Sequence, residues 1–230
     1  MGNRTDELLT VGSDRSSARA REDYVKAIYQ LGILAPVRAA ALARYLRVSR
    51  VSVSKAKRQL EAEGLLERDR APLAPLRLSA TGRRLAIAMV RRHRLLETFF
   101  YRTLRMPLDR VHAEAERIEH VISDDVALRI AELLSHPECD PHGHPIPYGE
   151  GEANDKPLPT LATLRAGARA RVVSLDDRDD RAVAALCDAG VLPGVSLCVE
   201  RTDVHRVVVR CGKRVSTLRR RHAEMVRIGT

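Results

Sequence analysis

The apolar pattern of this 230-residue chain changes period once, and that change limits what it can fold into. Up to about Ser135 the apolar residues recur at helical spacing. After Thr160 they alternate in short runs that suit strands. Between the two, His136 to Pro159 is dense in Pro, Gly and acidic residues, the composition of a linker. The pattern predicts a mainly α chain with small β parts, long enough for two or three domains at roughly 100 residues each.

Residues 1–20 are rich in Gly, Asn, Ser, Arg and Asp and read as a flexible arm. A first helix then starts near Arg21, with Tyr24, Ile28 and Leu31 on one face, and a second covers Arg38–Leu46. A third runs from Ser49, a residue suited to an N-cap, to about Glu63, and Gly64 stops it. Leu65–Arg68 and Leu76–Leu78 read as two short strands around a proline-containing loop. This order predicts a winged helix-turn-helix over 21–82. Two long helices follow, one from Thr81-Gly82 to about Leu104 and one from Leu108 to about Ser135, sharing an apolar stripe that suits a dimer seam. They define a helical domain over 83–148, with 149–162 as linker. Strands at Ala170–Leu175, Val195–Arg201, Val207–Cys211 and Met225–Ile228, with a helix at Asp179–Ala189, predict a small barrel-like domain over 163–230.

Composition narrows the partners. With 40 Lys+Arg against 30 Asp+Glu the formal net charge is +10, which suits a polyanion. None of the four Cys forms a C-x-x-C pair, which argues against a zinc ribbon or thioredoxin-like motif. No apolar run approaches the ~20 residues of a membrane span, and the N-terminus lacks the apolar core of a signal peptide, so a cytoplasmic protein is expected.

The third helix carries Ser49, Arg50, Ser52, Ser54, Lys55 and Arg58, with Arg38 at the start of the second. Small hydroxyls let a helix enter a major groove, and the cations reach bases or phosphates. Arg68, Arg70 and Arg77 flank the wing. The same residues would also suit an ordinary basic surface helix.

His112, Glu116, Glu119 and His120 fall at i, i+4, i+7 and i+8, one stripe of one helix. His93 and Glu97 repeat the i, i+4 spacing on the preceding helix, and the first helix offers Asp23. Imidazole with carboxylate suits Mn(II), Fe(II), Co(II), Ni(II) or Zn(II). A solvated Glu/Arg/His face is the competing reading, and a metal-independent winged-helix regulator is its functional counterpart. An enzyme has little support. The Glu-x-x-His of di-iron bundles is missing, since Asp109 and Arg117 precede His112 and His120 by three. H-E-x-x-H, G-x-S-x-G, P-loop and Rossmann patterns are absent as well.

At these residues the chain resembles the diphtheria toxin repressor family of metal-dependent regulators. The resemblance runs through Glu22–Leu31, Val48–Gly64, Leu78–Arg83, Arg92–Glu97, Val111–Asp125 and His142-Gly-His-Pro-Ile-Pro147. It implies a C-terminal SH3-like domain and a homodimer on double-stranded operator DNA, acting as a repressor in metal homeostasis. It also implies that His93, Glu97 and His112 hold an ancillary metal, and that Asp23, Glu116, Glu119 and His120 hold the activating one. Iron-responsive members carry Met and Cys where this chain has Asp23 and Glu116; the manganese branch carries Asp and Glu. Mn(II) is therefore the expected cofactor, Fe(II) the second, and Co(II), Ni(II) and Zn(II) surrogates. Lys26 stands where the manganese branch has a further Glu, which implies a single ion at the activating site. In the ancillary layout the SH3-like domain adds ligands; Asp176, Asp179 and Asp180 lie in the corresponding stretch but read as an acidic turn before a helix. The His142–Pro147 segment reads as a turn, with a Cys139/His142/His144 metal site as the alternative.

Overall fold

A computed structural model describes residues 4–69, 71, 73–149 and 157–229, with side chains from Ser17 onward. The chain forms two compact units, one ending at Val90 and the other built from Arg91–Tyr148 and the C-terminal segment.

The first unit contains α1 (Arg4–Gly32), α2 (Ala39–Leu46), α3 (Arg50–Ala62) and the N-terminal half of α4 (Ala80–Arg102). Residues 1–20, read as an arm, are helical from Arg4 onward. No Pro stands between Arg4 and Arg21, and extending a formed helix costs far less than nucleating one, so polar composition alone does not end it. Ser49 caps α3 by accepting a hydrogen bond from the Ser52 amide. Arg47 takes a left-handed conformation, φ 56°, at the turn from α2. Val25, Ile28, Leu42, Val53, Leu60 and Ile87 form the core, and a fully buried leucine such as Leu42 contributes about 1.5–3 kcal/mol. The two wing strands reduce to isolated bridges, Val37 with Leu76 and Leu66 with Leu78. A Cβ on Gly82 would stand 2.0 Å from the Leu65 carbonyl oxygen, so α4 can start against the wing only with glycine there.

The second unit holds the rest of α4, then α5 (Leu108–Ile118), α6 (Asp124–Leu133), β1 (Arg169–Leu175), α7 (Asp180–Asp188), β2 (Ser196–Thr202), β3 (Arg206–Cys211), β4 (Arg214–Arg219), α8 (Arg220–Ala223) and β5 (Val226–Gly229). The long helix expected from Leu108 to Ser135 is two. Ser123 starts the second by accepting from the Val126 amide, and Asp124 and Asp125 favour the positive end of α6. Glu119 therefore caps α5, and His120 lies in the turn beyond it, so the four-residue stripe does not run along one helix.

The strands form one antiparallel sheet in the order β4-β3-β2-β1-β5. β4 and α8 were not expected from sequence. The sheet and α7 enclose a core of Val172, Leu175, Val183, Leu186, Val199 and Val209, which Leu108 of α5 joins. Part of the expected 149–162 linker, residues 150–156, lies outside the described residues. Its end belongs to the β domain, because Leu161 and Ala162 are buried in that core. The architecture is mainly helical with a small β part, as the change of period implies.

Candidate metal centre and DNA-binding surface

Val53 and Leu60 anchor α3 and leave its other face to solvent. Ser49, Arg50, Ser52, Ser54, Lys55 and Arg58 are all exposed there. Arg58 Nε donates to the Ser54 carbonyl at 3.3 Å, and Ser54 Oγ to the Arg50 carbonyl at 3.0 Å. Exposed Arg38 donates to the Leu73 carbonyl of the wing at 3.2 Å. Arg68 and Arg77 are exposed, whereas Arg70 lies outside the described residues. Val51, which the sequence reading passed over, is 77% exposed on the same face. Asp23 is half-buried on α1, and Lys26 is buried.

In the second unit α4 and α5 bring three expected ligands together. Glu97 Oε1 lies 3.0 Å from His93 Nε2 and 3.2 Å from His112 Nδ1. The other ring nitrogen of His93 faces Glu119 Oε2 at 2.5 Å and Glu116 Oε1 at 3.8 Å. His120 Nε2 stands 3.4 Å from Glu119 Oε1. Glu116, Glu119 and His120 thus gather near His93, although no single helix carries them.

Three further residues complete the cluster. Asp177, in the loop after β1, puts Oδ2 3.6 Å from His112 Nδ1. Asp140 and His142 come from the turn before the Pro-Ile-Pro segment. Asp140 Oδ1 accepts from the backbone amides of His142 and His144, both at 2.9 Å. A Cβ on Gly143 would stand 2.0 Å from the Val173 carbonyl oxygen, so this turn lies directly on β1. His142 Nδ1 then sits 3.6 Å from Glu97 Oε1 and 3.7 Å from Asp177 Oδ2. His142 Nε2 lies 3.1 Å from the Leu108 carbonyl. A carbonyl only accepts, so Nε2 carries the proton, and a neutral ring has its lone pair at Nδ1, toward the cluster.

The turn reading and the metal reading of His142 are thus both correct, with Asp140 in the groups of converging ligands and Cys139 exposed. Of the acidic run, Asp176 pairs with Arg178 and Asp179 caps α7, so the turn reading holds for both. Asp177 is the one that reaches the cluster, and nothing in a run of adjacent aspartates singles it out.

Burial pushes the Glu97 carboxyl up, yet His93, His112 and His142 outweigh it and hold Glu97 well below the usual range. Burial also raises Asp177, and the neighbouring imidazoles, His112 foremost, bring it below its ordinary value. Burial lowers His142, but Glu97 with Asp177 and Asp140 outweighs that and lifts it to about 10. The cluster is a buried array of carboxylates and protonated imidazoles. Three of its buried atoms, Glu97 Oε2, Asp140 Oδ2 and His142 Nδ1, have no hydrogen-bond partner. Unsatisfied buried polar atoms are costly, and hard oxygen with imidazole nitrogen is the donor chemistry of a divalent first-row ion. The residues fit a metal.

Residues 79–148 match the iron dependent repressor, metal binding and dimerisation domain, and residues 160–229 match the FeoA domain. The iron-dependent repressor IdeR of Mycobacterium tuberculosis is 38% identical over 198 residues, covering 79% of this chain and 84% of the relative. The diphtheria toxin repressor of Corynebacterium glutamicum is 34% identical over 211 residues, covering 86% of this chain and 90% of the relative. A manganese-dependent transcriptional repressor solved with manganese superposes with a TM-score of 0.82 at 30% identity, over 91% of this chain and 99% of that one.

Proposed function

The chain belongs to the diphtheria toxin repressor family of metal-dependent transcription regulators, and on that premise we propose that it binds double-stranded operator DNA as a homodimer when loaded with Mn(II), repressing genes of metal-ion homeostasis. Fe(II) is the second physiological candidate, and Co(II), Ni(II) and Zn(II) are surrogates. Relatives named for iron and for manganese support both metals. The preference for Mn(II) rests on oxygen at Asp23 and Glu116, the positions where iron-responsive members carry sulfur.

The observation that carries the reading is the convergence of His93, Glu97, His112 and Asp177, whose ligand atoms all lie within 4.8 Å of one another. These residues would hold the ancillary ion, and Glu116, Glu119 and His120 would contribute to the activating one. A bound divalent ion supplies the positive charge that these carboxylates would otherwise take from protonated imidazoles. The chain's own residues do the rest. Leu108 fixes His142 through its carbonyl, Asp140 holds the turn, and α5 orients His112.

On DNA, Arg50, Lys55 and Arg58 would neutralise phosphates or meet base edges, with Ser49, Ser52 and Ser54 admitting the helix to the groove. Val51 offers an apolar contact for a thymine methyl. Val121, Leu128 and Leu133, on or beside α6, are more than half exposed in the single chain, an apolar surface that a second copy would cover. A metal-independent regulator with a solvated acidic face is not supported, because Glu97 and Glu119 are fully buried. The relatives are repressors, a family without enzymatic activity. No helix among the described residues is long and apolar enough to cross a membrane.

The test is a DNA-binding titration across Mn(II), Fe(II), Co(II) and Zn(II) at controlled free-ion levels. Metal-independent binding of equal strength would overturn the reading.

A further inference from the structure

The residues around Glu97 offer more donors than one ion can use. His93, Glu97, His112 and Asp177 form one group whose ligand atoms lie within 4.8 Å of one another. Glu97, Asp140 and His142 form a second, and Asp140, His144 and Asp177 a third. Together they are seven residues, three of them carboxylates with a second oxygen to give. An octahedral ion takes about six donor atoms.

The overlap has a pattern. Glu97 meets His93 and His112 through Oε1. Its Oε2 is buried without a hydrogen-bond partner, and so are Asp140 Oδ2 and His142 Nδ1. Those three residues are the members of the second group. The unsatisfied atoms therefore collect on the side of the cluster that the His93/His112 group leaves unused. His144 adds an imidazole there, with Nδ1 3.4 Å from Asp140 Oδ2 and 3.6 Å from Asp177 Oδ2.

We propose that this pocket holds two divalent ions at once. His93 and His112 serve the first, Asp140, His142 and His144 serve the second, and the Glu97 and Asp177 carboxylates bridge them. The inference rests on the metal reading above and assigns it a second ion. Arg94 Nε lies 3.8 Å from Asp140 Oδ2 and offsets part of that carboxylate's charge. The second ion accordingly binds more weakly than the first, and filling is sequential.

The experiment uses the full chain and Mn(II) alone. Bound Mn(II) per chain is measured by equilibrium dialysis over a range of free ion, and the same samples are read by electron paramagnetic resonance. Asp140→Asn keeps the Oδ1 acceptor that holds the turn while replacing the ligating oxygen with an amide. His144→Gln removes the imidazole at a partly exposed position, and circular dichroism verifies the fold of both. The parent should retain one more Mn(II) per chain than either variant, and should show the signal of an exchange-coupled pair that both variants lose. Crystals of the loaded parent should give two Mn anomalous peaks about 3.5–4 Å apart at this pocket. Equal Mn(II) content in the parent and both folded variants, or one peak, overturns the second ion. If His112→Ala also leaves Mn(II) content unchanged, the metal reading of the pocket falls with it.

Discussion

His93 Nδ1 stands 2.5 Å from Glu119 Oε2, and both side chains are buried. The other nitrogen of the same ring faces Glu97 and His112. One imidazole therefore touches both ligand sets that the family resemblance distinguishes. His93→Gln should weaken Mn(II) binding at both, on the order of 10–100-fold, whereas His112→Ala should weaken one. Calorimetric titration separates the steps, and equal profiles for the two variants would contradict the shared ring.

The exposed cations of α3 should set the salt dependence of DNA binding. Each phosphate contact contributes about −0.9 to the slope of log affinity against log salt. Lys55→Ala and Arg58→Ala should each flatten the slope by about that amount and leave Mn(II) affinity unchanged. Fluorescence anisotropy with operator DNA at several salt concentrations checks this, and parental slopes would move the recognition surface elsewhere.

Metal choice should follow donor softness. Asp23→Met combined with Glu116→Cys replaces two hard oxygens by sulfur, which rewards softer ions. Operator binding should then respond to Fe(II) or Co(II) and lose its response to Mn(II). An unchanged Mn(II) response in the double variant would remove these residues from the activating site.

Protons should compete with metal at His142. Its imidazole is lifted to about 10, so at neutral pH it is protonated in the metal-free protein and must release a proton to bind an ion. Mn(II) affinity should therefore rise with pH. The sign for stability is opposite. A raised imidazole stabilises the metal-free fold fully below about 6.5, its unfolded value, and that contribution is lost as pH rises toward about 10. Titrations in buffers of different ionisation enthalpy report the proton released. None released at pH 7 would mean a neutral ring.

Part of this was legible in the sequence because local chemistry marks it. Ser49 and Gly64 bound α3, and the i, i+4 spacing put His93 and Glu97 on one face. The break between α5 and α6 was missed because Ile118, Ile122 and Val126 keep helical spacing across it, and the capping role of Ser123 is local. β4 was missed because Arg214 and Arg219 hide its alternation. Asp140, His142 and Asp177 meet through the backbone contact of Gly143 with Val173, a long-range event that no sequence period records.

Gly143→Ala should therefore destabilise the second unit. Its φ of 90° and the nearby Val173 carbonyl leave no room for a methyl group. A strained backbone position of this kind costs about 1–3 kcal/mol. The thermal midpoint should fall, and Mn(II) binding at the His142 side should fall with it. A variant with the parental midpoint would show that the turn relaxes freely.

Leu108 begins α5 yet sits in the core of the β domain, and its carbonyl holds His142. The C-terminal segment is therefore no detachable bead on a string. A protein truncated before residue 160 would leave Leu108 uncovered and lose Asp177 altogether. The dimerisation helices and the barrel should melt as a single cooperative block, and tethering the severed barrel back through a flexible joint would not by itself restore what the shared core provides.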